Sequence, residues 1–387
     1  MANEGRVEGE YEPRFTRVRE AFERNFANGE VGAALAVTLD GRPVVDLWGG
    51  YADAARTRPW QRDTIVNVYS TTKGMTAICA NRLIEAGKLD LDAPVAQYWP
   101  DFAQAGKATL PVRYLLSHQA GLAAISTRIP AEKLYDWNFM TAALAAQQPW
   151  WEPGTQHGYH ALTFGYLVGE LVRRIDGRSL GTYFRDEVAK PLGVDFHIGL
   201  DERHDTRCAE MIAAPPPPKG APNLFAAVTE KPESLTAKVF GNPPLGAAKV
   251  NTRAWRAAEI PAANGHGDAR GLARVYGTLA CGGDLDGVHI LSTEAITRAN
   301  TEQAFGTDAV LAPLQTRFGL GFFLTQPMIP FGPNPRAFGH PGAGGSVAFA
   351  DPDARLGFAY VMNQMQQGLA GDARGFGLIF EVYEALQ

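Results

Sequence analysis

The chain has 387 residues, of which 45% are hydrophobic and 20% charged, and its formal net charge is −5. That length is too great for one small core and predicts two lobes or one large mixed domain. The acidic balance and the lack of like-charge runs speak against a nucleic-acid surface, three widely spaced cysteines give neither a disulfide framework nor a metal spacing, and no 18-residue apolar run offers a membrane span.

The opening MANEGRVEGEYEPRF is polar and lacks the apolar stretch of a secretory signal, so a soluble cytoplasmic protein is expected. Residues 13 to 27 predict an amphipathic helix: Pro13 suits its first turn, Phe15, Val18, Phe22 and Phe26 share a stripe, and Asn28-Gly29 ends it. Apolar runs at 33–39 and 44–48 flank Asp40-Gly41, a strong hairpin signal. A helix from Pro111 leads into the loop SHQAGL with His118. The aromatics between 133 and 151 read mainly as packing, with Trp151 a candidate pocket wall. Leu162 to Ile175 is apolar nearly all round, with Gly165 and Gly169 permitting close approach, which predicts a buried helix. Tyr159 stands just before it, in a loop delivered to the interior.

Residues 201 to 265 read as irregular, and the run Pro215 to Pro218 marks an insertion there. Asp268 is expected to open a helix that ends at Gly282-Gly283, followed by a turn at 284–287. The segment RAFGHPGAGGSVAFADPDARLGFAYVMN predicts three strands, broken by the Gly-rich stretch 339–345 and by Asp351-Pro352-Asp353. A last helix is expected over 372–386. Strands at both chain ends with helices between predict an α/β (α+β) fold: an antiparallel sheet built from both ends, flanked by terminal helices, with a mainly helical lobe inserted. The expected division is 1–62 with 268–387 for the sheet lobe, and 63–267 for the helical one.

The most telling stretch is NVYSTTKGMTAICANRLIEAGKLD, residues 67 to 90. It reads as a short extended segment, a helix opening at Ser70, and a stop at Gly87. Ser70 and Lys73 lie three apart on one face of the first turn. A serine hydroxyl is a poor nucleophile until a base takes its proton, and a lysine in an apolar site is inclined to become that base. Seven serines and nine lysines in 387 residues give roughly 0.16 chance S-x-x-K matches, so the single occurrence is informative.

VYSTTKG, SHQAGL, EPGTQHGYHALTFGYLVGE and FGHPGAGGSVAFADP together resemble the serine β-lactamase and penicillin-binding-protein superfamily, and within it the class C-like family VIII carboxylesterases. The resemblance implies a β-lactamase-like fold, with Ser70 as nucleophile, Lys73 and Tyr159 as its acid–base partners, and the backbone N–H groups of Ser70 and Ala343 as oxyanion donors. Which of Lys73 and Tyr159 is the primary base stays open. His340-Pro341-Gly342 takes the place of the family's third motif; with His118 and Trp151 these residues are expected to line the substrate pocket. The pattern departs twice from β-lactamases: His160-Ala161 follows Tyr159 where an Asn is usual two places on, and His340 replaces a Lys. Both changes remove polar contacts that a β-lactam uses.

The expected activity is therefore hydrolysis of carboxylic esters, short-chain acyl esters first, on a small-molecule substrate with no metal and no cofactor. A homo-oligomer is open. The rivals are acyl transfer to an alcohol or amine, β-lactam or linear-amide hydrolysis, and, outside the enzymes, a catalytically silent binding module. No G-x-S-x-G elbow supports an α/β-hydrolase, and no H-E-x-x-H spacing supports a metal hydrolase.

Overall fold

Two apolar runs and the turn between them found the sheet. The computed structural model describes residues 6–217, 226–243 and 247–387. The strands, in chain order, are β1 Val7–Tyr11, β2 Gly32–Leu39, β3 Arg42–Gly50, β4 Val66–Asn67, β5 Phe196–His197, β6 His266–Gly267, β7 Asp284–Leu285, β8 Val288–His289, β9 Ala304–Thr307, β10 Gln315–Phe318, β11 Phe323–Leu324, β12 Phe338–Pro341, β13 Val347–Asp351 and β14 Leu356–Met362. Nine of them form one sheet in the order β1-β3-β2-β14-β13-β12-β11-β10-β9, with every pairing antiparallel. The hairpin β2–β3 turns on Asp40 and Gly41, both at positive φ, as a tight two-residue connection demands. C-terminal β14 pairs with N-terminal β2, from Leu356 opposite Leu39 to Met362 opposite Ala33. The sheet thus joins both chain ends.

Helix α1, Thr16–Ala27, packs against the last helix, Ala373–Glu384. Phe22 of α1 meets the ring of Tyr360 in β14 edge-on. Three positions earlier in the same strand, Gly357 faces the opposite side, where the helix Ala269–Ala280 crosses. A side chain at Gly357 would run into Gly277 N at 2.3 Å, so glycine lets that helix sit directly on the sheet. A short sheet in the order β4-β6-β5 leads into α2, Thr72–Glu85, which packs on the buried helix Thr163–Asp176. One contiguous cluster of buried apolar side chains extends from Val7 to Val382.

Sequence patterning did not reveal β1, β9, β10 or β11. They are short, two to five residues each; β1 buries only Val7 fully, and β11 is only Phe323–Leu324. Pro218, the last of the four-proline run, lies outside the described residues. No helix among the described residues is long and apolar enough to cross a membrane.

Candidate active site

Ser70 does not open the helix. It sits in the tight turn before it, and α2 begins at Thr72. The N–H groups of Thr71, Thr72 and Lys73 each reach back three residues, to the carbonyls of Val68, Tyr69 and Ser70. This narrow entry forces Tyr69 to φ 45° instead of the extended conformation expected of it. A bulky residue there is strained, and it persists because its surroundings hold it. Thr72 Oγ1 donates to the Tyr69 carbonyl at 2.5 Å and accepts from Gly265 N at 2.8 Å. The Tyr69 hydroxyl donates to Met365 Sδ.

Lys73 is fully buried. Its Nζ lies 3.2 Å from Ser70 Oγ, 2.7 Å from the Ala161 carbonyl and 2.9 Å from the Ala262 carbonyl. No carboxylate pairs with it among the described residues. Burial holds its pKa well below that of a free lysine. As an ammonium it donates to all three oxygens; as a neutral amine it donates to the two carbonyls and accepts from the Ser70 hydroxyl.

Tyr159 completes the group. Its ring centroid lies 4.7 Å from Lys73 Nζ, and its hydroxyl is on the Ser70 side, near enough to feel that side chain. Burial raises its pKa, the nearby Ser70 hydroxyl only partly offsets that, and the Asp308 carboxylate adds to the rise. The loop carrying Tyr159 is fastened from outside by buried Asp308, whose Oδ1 accepts from Tyr159 N at 3.0 Å, Val310 N at 2.8 Å and Leu311 N at 2.9 Å. Its Oδ2 accepts from Thr316 Oγ1, which in turn meets His157 Nε2.

The end of β12 closes against the Ser70 turn. A Cβ at Gly342 would strike Ser346 Oγ at 2.1 Å and the Val68 carbonyl at 2.4 Å, so only glycine allows the approach. Ser346 Oγ donates to that same carbonyl. Among the described residues, the backbone N–H groups of Ser70 and Ala343 carry no hydrogen bond to the protein. His340, in β12, is buried, with Nδ1 donating to the Pro341 carbonyl at 2.6 Å. Among the described residues its Nε2 has no partner. Burial pushes its pKa well below the histidine value, and with Nδ1 donating, Nε2 is left as a bare acceptor.

A cleft of about 620 Å³ opens beside this group, with Tyr159 and Phe323 on its inner wall. His118, Trp151, His340, Pro341 and Gly342, all expected to line the substrate pocket, lie outside that wall. His118 packs between Phe318, Phe164 and Tyr159 and accepts from His160 N through Nδ1. Trp151 packs edge-on against His160. His160 is consumed structurally: Nδ1 donates to the Gly158 carbonyl, Nε2 accepts from Leu122 N, and burial pushes its pKa down to about 4. These rings back the tyrosine loop and do not face the cleft.

Sequence reasoning missed Asp308, Ala262 and Phe323. Ala262 contributes only a carbonyl, which no side-chain pattern can announce. Asp308 stands ahead of the apolar Ala309-Val310-Leu311, an Asx-turn signal, but nothing local ties it to Tyr159.

Residues 18–378 match the beta-lactamase family. A crystal structure described as a family VIII carboxylesterase shares 46% identity at a TM-score of 0.91, covering 98% of this chain and 100% of that one. A penicillin-binding-protein homologue from Caulobacter crescentus shares 41% at 0.89, again over 98% and 100%. The Mycobacterium tuberculosis protein named esterase/beta-lactamase LipL is 40% identical, over 97% of this chain and 88% of its own length.

Proposed function

The chain belongs to the beta-lactamase family, and from that premise we propose that it is a serine carboxylesterase in which Ser70 carries the acyl group. The observation that carries this reading is Lys73 Nζ, fully buried, 3.2 Å from Ser70 Oγ and, among the described residues, otherwise hydrogen-bonded only to two backbone carbonyls. A neutral amine so placed accepts the Ser70 proton as the oxygen attacks the ester carbonyl. Tyr159, whose own proton is hard to remove, is the donor: it protonates the departing alkoxide and is replenished from Lys73. The backbone N–H groups of Ser70 and Ala343 receive the oxyanion. Water then enters, gives its proton back through the same pair, and releases the acid.

Replacing Ser70 with Ala should lower kcat for a p-nitrophenyl ester by roughly 10⁴ or more and abolish labelling by a fluorophosphonate. Near-normal hydrolysis by that variant would end the assignment.

A β-lactam reading has one observation in its favour, the double name of the M. tuberculosis relative. The bare acceptor of His340 Nε2 speaks against it, because it supplies no cation to hold a carboxylate. With two charged or amide contacts missing, each worth roughly 1.5–3 kcal/mol, a chromogenic cephalosporin should be turned over at least about 10²-fold less efficiently than a short ester. Equal efficiencies would reverse the ranking. A cytoplasmic location goes with the esterase reading, supported by three unpaired cysteines, two of them buried. A processed N-terminus on protein isolated from its source would contradict it.

A further inference from the structure

The cleft beside Tyr159 has a chemical bias of its own. Four distant stretches wall it, at 231–236, 309–316, 328–329 and 367–370. Leu235, Leu311, Pro313, Ile329 and Leu369 supply apolar surface, and Met328 stands on it with 59% of its surface exposed. Lys231 is the one charged residue among the described wall residues. A volume of about 620 Å³ is that of a small-molecule site. The bias favours an apolar occupant, but does not by itself say which half of an ester enters.

The position of Tyr159 decides that. Tyr159 lines the cleft, whereas Ser70 and Lys73 do not. A group that protonates the leaving alkoxide must lie within hydrogen-bond reach of the alcohol oxygen. The alcohol carbon chain therefore starts at Tyr159 and continues past Phe323, along the open wall. The acyl chain leaves the carbonyl carbon in another direction. The far side of the cleft is also held to the oxyanion turn, since Gly344 N donates to the Gly368 carbonyl and Gln366 N to the Gly344 carbonyl. The apolar wall is thus fixed relative to the reacting carbonyl.

Resting on the Ser70 reading above, we propose that this cleft is the alcohol subsite, and that the enzyme selects esters of medium-length or bulky apolar alcohols over esters of long acids. No extra reactant is needed: the ester C–O bond breaks, the alcohol leaves with the proton from Tyr159, and the acyl group stays on Ser70 until water takes it.

Two ester series separate the possibilities, assayed by pH-stat with the full-length protein. Acetates of methyl to octyl alcohol vary only the leaving half, and methyl esters of acetic to octanoic acid vary only the acyl half. The expected result is a rise in kcat/KM of up to about fourfold per methylene along the acetates until the cleft is filled, and little change along the methyl esters. All acetates pass through one acetyl-enzyme, so kcat converges across that series wherever its hydrolysis limits turnover. Replacing Leu369 with Lys, and separately Met328 with Lys, should lower the octyl-to-methyl acetate ratio of kcat/KM about tenfold. A flat acetate series, or a rise confined to the methyl esters, overturns the proposal. If fluorophosphonate labels Ser70 in that same preparation, the esterase reading survives the loss; no turnover and no label would sink both.

Discussion

A lysine whose neighbours are two carbonyls and a hydroxyl has little reason to stay charged. Protonated, it would be a buried cation without a counter-ion among the described residues; neutral, it satisfies both carbonyls of Ala161 and Ala262. The sign for activity follows. The base acts only when deprotonated, so kcat/KM for an uncharged ester should rise with pH through the Lys73 pKa and then level off. Because burial holds that pKa below the free-lysine range, the plateau should be reached below pH 10; an acid limb at or above pH 10 would contradict the assignment. Arginine at position 73 stays protonated throughout, so Lys73→Arg should lose about 10³ or more in kcat at every pH tested. Tyr159→Phe removes the donor but keeps the stacking on Phe318 and the contacts with Phe323 and His340. It should cost about 10² to 10⁴ in kcat with a thermal midpoint changed by only a few degrees. A lost fold would refute the claim that the ring alone carries the packing. The Ser70–Lys73 pair was legible from spacing, because a three-residue separation brings two side chains to one side of the tight turn that leads into α2 as it would within a helix. The left-handed Tyr69 was not, since the segments that hold it, at Asn264 and Met365, both lie far along the chain.

Elements are set in place here by a few long-range polar contacts. Asp308 joins the β9–β10 connection to the tyrosine loop by accepting from three N–H groups and one hydroxyl. Asp308→Ala orphans those buried donors and should lower unfolding free energy by roughly 3 kcal/mol or more in a urea titration. It should also reduce kcat more than it raises KM, because the loop it holds carries Tyr159. Stability within 1 kcal/mol of the parent would show that water replaces the carboxylate without loss. Elements with a strong period were readable in advance: the β2–β3 hairpin, the helix Thr163–Asp176 and the strands near 340–362 all have continuous or regularly spaced apolar residues. Strand β10 is QTRF, with only Thr316 and Phe318 buried, and it exists because β9 and β11 pair with it. Such strands are made by their partners, so their own residues say little.

At the scale of the molecule, the two chain ends share one sheet and one buried ion pair. Glu30, just ahead of β2, is buried against Arg374 at the start of the last helix, 2.7 Å apart, and accepts a hydrogen bond from the Tyr360 hydroxyl. Arg374→Met would leave Glu30 buried beside an apolar side chain and should destabilise the protein by about 3–5 kcal/mol. The double variant with Glu30→Leu should recover part of that loss, and equal losses in both would argue against the pair. Mixing of the two ends was legible because strands recur at both termini while helices fill the middle. The cleft was not, as its walls come from four stretches with no common pattern. The central claim is that Ser70 becomes acylated during turnover. Protein quenched in acid while hydrolysing a p-nitrophenyl ester, then digested and weighed by mass spectrometry, tests it most directly. One acyl group is expected on the peptide carrying Ser70, and none on the Ser70→Ala variant; active turnover with that peptide unmodified, or with the acyl group on another residue, would contradict the claim.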